Sequence, residues 1–306
     1  MIGTIGMIGL GSMGAAIAER LLARGARLAV CDRKTENLDL FRSRRVQIAS
    51  TPRDVADAAE IVLACLPSSD ASLDVALGQT GVFHGRAIKV YVETSTIGIK
   101  TVETIAKACP SPIGFIDAPV SGGPPGALAG TLTTMVSGAR THFDRAFPGL
   151  SMMAKHVFYV GPEPGMAQTA KLINNHLSTA GRLAAFEGLV LALKAGLDVH
   201  ALVDVINVSS GRNYTTTDKI PAAILSGSFK FNGQLALSLK DEALLLQQAE
   251  ELGVPLWVAP RLLETLQAAA DGGYRDKDSM FVIQYMGERS GIDVKALMEK
   301  ANKAKS

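Results

Sequence analysis

The sequence divides into two halves of different class. The first is an α/β half built on a mostly parallel sheet, and one long helix connects it to an all-α second half. Three observations lead there. Short apolar runs alternate with helical stretches as far as Gly161. The punctuation Gly161-Pro162-Glu163-Pro164-Gly165 follows, and the pattern beyond it is almost wholly helical. The chain's 306 residues also leave room for about two domains at ~150 residues each. The domains are placed at 1–162 and 163–306.

Strands are predicted over 2–8, 27–31, 61–66, 87–92 and 113–117, each an aliphatic run bounded by turn residues. Helical periodicity covers 13–24 and 99–108, with a shorter helix over 53–57. This βαβ alternation belongs to an open sheet with helices on both faces. The runs 131–137 and 156–160 are expected to add closing strands. A long helix should then run over 166–195, followed by helices near 199–208, 221–225, 240–252, 260–270 and 294–303. Gly196 and Gly253 fall at helix ends, where glycine enters the left-handed conformation freely, and Pro255 stops the helix before it.

Composition removes several functions. An apolar fraction of 47% and a charged fraction of 20% suit a packed globular chain. The mean hydropathy of +0.21 raises the question of a membrane span. The first 18 residues carry no side-chain charge, but no basic segment precedes Arg20, and Gly3, Gly6, Gly9, Gly11 and Gly14 interrupt the stretch, so no signal peptide is expected. The 165–194 stretch holds Lys171, Asn174, Asn175, His176, Arg182 and Glu187, too polar for a lipid-facing span. No membrane partner is expected. Thirty-one Lys and Arg against 29 Asp and Glu give no basic field for nucleic acid. The basic clusters at 42–45 and 300–305 are solvated surface or chain end. Cys31, Cys65 and Cys109 form no Cys-x-x-Cys pair, which argues against a disulfide framework or a cysteine zinc site and for a reducing, cytoplasmic setting.

The segment Gly9-Leu10-Gly11-Ser12-Met13-Gly14 has the spacing of a dinucleotide-binding turn. Gly9 permits the tight turn, Gly11 lets backbone approach a pyrophosphate, and Gly14 allows helix and sheet to pack closely. The following helix directs its amides and positive dipole end at the phosphates. Asp32 ends the second strand about 20 residues on, where a carboxylate would bind the ribose diol. That carboxylate favours NAD, while Arg33 and Lys34 keep NADP possible.

Three further segments suggest a substrate site. The run Asp117-Ala118-Pro119-Val120-Ser121-Gly122-Gly123 ends in a turn able to present a hydroxyl and successive amides to an anion, or it is an ordinary loop. Lys171 and Asn175 share one face of the long helix, and their apolar surroundings argue for burial. The segment Ser238-Leu239-Lys240-Asp241 is expected to open a helix with an S-x-x-D cap, giving Asp241 a partly structural part. His176 is expected to pack or support rather than catalyse. Arg212, Asn213 and Phe231 are candidates for shaping the distal pocket.

With these motifs in order, nearly the whole chain resembles the β-hydroxyacid dehydrogenases, the family of 3-hydroxyisobutyrate dehydrogenase and tartronate semialdehyde reductase. Gly130-Thr131-Leu132-Thr133 and Ser210-Gly211-Arg212 add to the likeness. The resemblance implies a Rossmann-like N-terminal domain, a long helix and an all-helical domain. It implies Lys171 as catalytic lysine and Asn175 as its substrate-positioning neighbour, with Ser121, Gly122 and Gly123 holding the carboxylate. Lys240 would close the site beside both substrate and nicotinamide, and Ser95 would lie at the nicotinamide end. The implied cofactor contacts are Gly9, Leu10, Gly11, Ser12, Met13, Gly14, Asp32, Arg33, Leu66, Pro67, Ser95 and Lys240. Two departures are Ala167, where the family has glycine, and Glu93, where it usually has Asp. Neither removes a proposed catalytic group.

The implied reaction interconverts a small 3-hydroxy acid and its semialdehyde or 3-keto acid by hydride transfer, with no metal. A free lysine has a pKa near ~10.4, so Lys171 is expected to be tuned by burial and by positive neighbours such as Lys240. An imine reductase-like enzyme is one alternative, against which Lys171 counts. The other is a dinucleotide-binding scaffold without chemistry. A homodimer or homotetramer is expected from relatives.

Overall fold

The structure, a computed structural model, describes residues 3–305. Ile2, in the expected first strand, lies outside them. The chain divides into two compact units, Met1–Lys171 and Leu172–Ser306.

In the first unit, parallel strands β1 (Ile5–Ile8), β2 (Leu28–Cys31), β3 (Val46–Ile48), β4 (Ile61–Ala64), β5 (Val90–Glu93) and β6 (Gly114–Asp117) run in the order 3-2-1-4-5-6. The sequence of strands therefore reverses at β1, where Met7 stands opposite Val30 of β2 and Leu63 of β4. Such a reversal opens a crevice beyond the strands' carboxyl ends. Three more strands extend the sheet: β7 (Val120–Ser121), β8 (Leu132–Ser137) and β9 (Ala154–Gly161). β6 and β7 pair antiparallel with β8, and β9 pairs parallel with it.

Helices cover both faces: α1 (Ser12–Ala23), α2 (Thr35–Asp39), α3 (Pro52–Ala58), α4 (Ser69–Leu77), α5 (Ile99–Ala108), α6 (Gly123–Ala129) and α7 (Arg140–Met153). The strand residues alternate between two cores. Ile5, Met7 and Val30 pack with Ile17 and Leu21 of α1 and Leu150 of α7. Ile8, Ala29 and Cys31 pack with Val55 of α3 and Val102 of α5. Burial on both faces explains why these strands lack polar alternation in sequence. α3 begins at a complete capping box between Thr51 and Asp54.

The sequence reading did not include β3, β7, α2, α4, α6 or α7. β3 and β7 are three and two residues long and only partly buried. α7 contains Pro148 and α6 starts Gly-Pro-Pro-Gly, so both carry residues that normally punctuate loops.

α8 (Met166–Lys194) is one uninterrupted helix of 29 residues. Its first turn and a half belongs to the first unit and the remainder to the second. The second unit continues with α9 (Val199–Asn207), a wide π-type helix over Thr215–Leu225, α10 (Leu235–Glu251), α11 (Ala259–Ala269), α12 (Val282–Arg289) and α13 (Val294–Lys305). Phe186 and Leu189 of α8 lie in its core with Ile224, Leu239, Leu266 and Ile283. Gly196 and Gly253 take φ of +77° and +66° just beyond α8 and α10, as their placement at helix ends requires.

Two expected starts move. α10 begins at Leu235 rather than 240, so Ser238 and Asp241 lie inside it and form no N-terminal cap. Their side chains are turned to other partners, described below. The helix expected from Pro221 begins at Thr215, because Asn213 Oδ1 accepts the amides of Thr215 and Thr216 and so opens it. Among the described residues, no helix is long and apolar enough to cross a membrane.

Candidate functional site

The glycine turn follows β1 directly, beyond the carboxyl end of the strand where the order reverses. Gly9 has φ +85°, and a Cβ there would fall 2.3 Å from the Cys65 carbonyl after β4. A Cβ on Gly14 would fall 1.8 Å from the Gly9 carbonyl. The protein's own backbone thus demands both glycines. Gly11 differs, because a Cβ there would meet nothing within 4 Å. It is the N-cap of α1, makes no side-chain cap bond and has no acidic residue in the following turn. Bare backbone at a positive helix end, facing open space, fits a pyrophosphate.

Asp32 is fixed beside this turn. Its Oδ2 accepts the Leu10 amide at 2.6 Å and its Oδ1 accepts the Lys34 amide at 2.7 Å. Leu10 contributes only backbone, since its side chain is buried. Ser12, Arg33, Lys34 and Pro67 are exposed, and Met13 packs partly against the core. After β4 and β5, the Leu66 amide donates to Ser95 Oγ at 2.7 Å, joining two expected cofactor contacts. Ser95 is in turn held by Glu93, whose Oε1 accepts the Ser95 amide at 3.0 Å. Glu93 also accepts the Tyr91 hydroxyl, and burial pushes its carboxyl above the ordinary range. The residue that departs from the family's Asp is therefore a buried support for Ser95.

Ser121 ends β7, half-buried. Gly122 and Gly123 follow with φ of +125° and +64°, a pair of left-handed residues that favours glycine and leads into α6.

The start of α8 is held by residues to which the sequence analysis assigned no role. Asp117 Oδ1 accepts the Gly165 amide and its Oδ2 the Gln168 amide, both at 3.2 Å. Ser137 Oγ donates to Asp117 and accepts the Ala167 amide at 2.9 Å. Burial raises the Asp117 carboxyl to about 6 against the opposing effect of these bonds. Gln168 Oε1 accepts the amides of Ile97 and Gly98, and its Nε2 donates to the Ser95 carbonyl. The Ala167 departure is accommodated as an ordinary buried helical residue. Lys171 lies one turn beyond Gln168 and is buried.

Further along α8, Lys171, Asn175, Ser178 and Arg182 recur at the spacing of one helix face. Asn175 Nδ2 donates to Asp241 Oδ2 at 2.7 Å, and Lys240 Nζ lies 3.4 Å from Asp241 Oδ1. Asp241 thus joins two of the expected site residues. Ser238 accepts from Arg182 Nη2, and Ser279 accepts from Nη1, each at 3.0 Å. Burial pulls the Arg182 guanidinium down to about 10. His176 Nδ1 stands 3.0 Å from Glu242 Oε2. Of the distal candidates, Asn213 lies against Gly181, Phe231 meets Tyr214 edge to face, and Arg212 is exposed.

Two family models match. The NAD binding domain of 6-phosphogluconate dehydrogenase covers residues 4–161, and the NAD-binding domain of NADP-dependent 3-hydroxyisobutyrate dehydrogenase covers 165–286. A 2-(hydroxymethyl)glutarate dehydrogenase of Eubacterium barkeri is 32% identical over 95% of this chain and 97% of its own. The chain belongs to the 3-hydroxyisobutyrate dehydrogenase family. A probable mitochondrial 3-hydroxyisobutyrate dehydrogenase of Dictyostelium discoideum is 34% identical over 93% of this chain and 91% of its own. Among solved structures, Psf3 in complex with NADP+ and 2-OPP matches with a TM-score of 0.83 and 28% identity, covering 92% of this chain and 100% of that one. Membership makes the chain an NAD(P)-binding oxidoreductase of the hydroxy-acid type. It also accounts for the Rossmann-like first unit and the helical second one.

Proposed function

We propose that this member of the 3-hydroxyisobutyrate dehydrogenase family interconverts a small 3-hydroxy acid and its semialdehyde or 3-keto acid, with Lys171 as general acid and base. The observation that carries the reading is Lys171, buried on the same helix face as an Asn175 whose amide is fixed by Asp241. A proton-transfer group and a positioning amide one turn apart suit a substrate hydroxyl and its neighbouring carbon. NAD(P)+ supplies the hydride acceptor when bound. Lys171 takes the proton of the substrate hydroxyl during oxidation and returns it during reduction. Ser121, Gly122 and Gly123 hold the carboxylate, and Asn175 fixes the angle of approach. Lys240 closes on substrate and nicotinamide, and Ser95 lies at the nicotinamide end.

The Asp32 carboxylate supports NAD as the preferred cofactor, since it would repel a 2′-phosphate. Three free thiols suit a reducing, cytoplasmic setting. Exposed apolar side chains of the second unit, among them Leu191 and Trp257, support a homodimer or homotetramer, which light scattering reads directly.

The test is NAD(P)+ reduction with 3-hydroxyisobutyrate, glycerate, threonate, 3-hydroxypropionate and serine. Lys171→Ala should lower kcat by roughly 10²- to 10⁴-fold. Equal rates for variant and wild type would remove Lys171 as the essential base. Cofactor binding with no turnover would favour a scaffold.

A further inference from the structure

We infer that Gln168 is a positioning residue for hydride transfer, locking the Ser95–Gly98 turn at the nicotinamide end to the stretch of α8 that carries Lys171. The inference rests on the reading of Lys171 as proton acceptor and of Ser95 as a nicotinamide contact. Gln168 is wholly buried, and its side chain makes three bonds to one short stretch of backbone. Oε1 accepts the Ile97 amide at 3.0 Å and the Gly98 amide at 3.2 Å, while Nε2 donates to the Ser95 carbonyl at 3.1 Å. The carboxamide therefore fits in one orientation. Turned over, its NH2 would face two N–H donors and its oxygen a carbonyl. The residue is held by its backbone as well, since its own amide donates to Asp117 Oδ2 at 3.2 Å.

The turn has no local substitute for this grip. Gly98 is the N-cap of α5, with φ +78° and no side chain to cap the helix. Other side chains fix the turn from different sides. Glu93 Oε1 accepts the Ser95 amide, Ser95 Oγ accepts the Leu66 amide, and Ser69 Oγ of α4 donates to the Ile97 carbonyl at 3.1 Å. Of these anchors, Gln168 is the one on the helix of Lys171. Lys171 follows it by three residues, a spacing at which Cβ atoms on a helix stand about 5–6 Å apart. The proposed chemistry makes such a tie matter. Oxidation breaks the carbinol C–H bond, whose hydrogen leaves with the electron pair for nicotinamide C4. It also breaks the O–H bond, whose proton passes to the neutral Lys171 amine as the C=O bond forms. The two acceptors must stand together about neighbouring atoms of one substrate, and a displacement of about 1 Å costs about 10²-fold in rate. A glutamine that spans both supports sets that spacing before substrate arrives.

The experiment compares wild type, Gln168→Leu, Gln168→Glu and Ser69→Ala. Ser69→Ala releases the same turn from α4 and is the control for a turn that is only loosened. With cofactor saturating, Gln168→Leu should lower kcat by about 10²-fold and leave KM for the hydroxy acid near that of wild type. Gln168→Glu keeps an acceptor for both amides and should retain more of kcat, and Ser69→Ala should lose less than Gln168→Leu. A loss no larger than that of Ser69→Ala, or one carried by KM, overturns the inference. Hydrogen exchange gives a readout without turnover. NAD(P)H should slow exchange at the Thr169, Ala170 and Lys171 amides of wild type. Gln168→Leu should abolish that slowing while Leu10 and Gly11 remain protected. Equal slowing in both proteins, or none in wild type, overturns the inference even if Lys171→Ala upholds the hydroxy-acid chemistry. Full rates in Lys171→Ala would overturn that chemistry and leave the exchange result to decide whether Gln168 joins turn and helix. If Gln168→Leu does not fold, Gln168→Glu takes its place against Ser69→Ala in both measurements, with the same direction expected.

Discussion

Gly11 and Gly14 lack a side chain for opposite reasons, and their alanine variants should separate folding from binding. At Gly14 a methyl group would press on the Gly9 carbonyl, so Gly14→Ala should cost about 3 kcal/mol or more by urea denaturation. At Gly11 the methyl enters open space. Gly11→Ala should stay within about 0.5 kcal/mol of wild type and still weaken NAD(P)H binding, read by fluorescence titration, by about tenfold or more. Loss of stability without loss of affinity at Gly11 would refute the pyrophosphate assignment. These positions were legible because their spacing is local, as was the step from Lys171 to Asn175. Gln168 and Asp117 were not, since each acts on partners far away in the chain. Gln168 reaches Ser95, and Asp117 reaches Gly165. No spacing rule marks such pairs.

At the start of α8 the amides of Gly165, Ala167 and Gln168 are met by Asp117 of β6 and Ser137 of β8. Asp117 has an ordinary carboxyl value of 3.8 and is raised to about 6 in the fold. A raised acid contributes stability that is complete below its unfolded value and lost as pH rises through its folded one. Wild type should therefore lose about 2.4 kcal/mol relative to Asp117→Asn between pH 4 and 7, measured by urea midpoints across that window. A flat difference would show that the carboxyl titrates normally. Gln168→Leu would leave the Ile97 and Gly98 amides buried and unmet, costing about 1–3 kcal/mol for each. Its urea midpoint should fall accordingly, and an unchanged midpoint would mean that those amides find water. Periodicity placed α5 and α8 well, but α7 was hidden by Pro148 and the start of the Thr215–Leu225 helix by an unrecognised Asn213 turn. The S-x-x-D pattern at Ser238 misled, because both residues lie inside α10 and bond side chains of α8: Ser238 with Arg182, Asp241 with Asn175.

For the molecule overall, the alternation of strand and helix was enough to imply an open sheet with closing strands, and the strand order and the antiparallel direction of β8 emerged only from long-range pairing. Every proposed contact with the adenosine and pyrophosphate lies in the first unit, so cofactor should protect that unit first. At a hundred times its Kd, NAD(P)H should stabilise the folded chain by about 2.7 kcal/mol. Hydrogen exchange should slow at Leu10, Gly11 and Leu66 before it slows in α11 or α13. Uniform slowing across both units would argue that the chain opens as one cooperative body.

The cap on α8 bears on recombining halves of related enzymes. The Gly161-Pro162-Glu163-Pro164-Gly165 turn is an inviting crossover, but a joint there would hand Asp117, Ser137 and Ser95 a foreign helix start to bind. A joint placed after Lys171 carries the strands, the glutamine and the lysine across together, so the transplantable piece ends inside the helix.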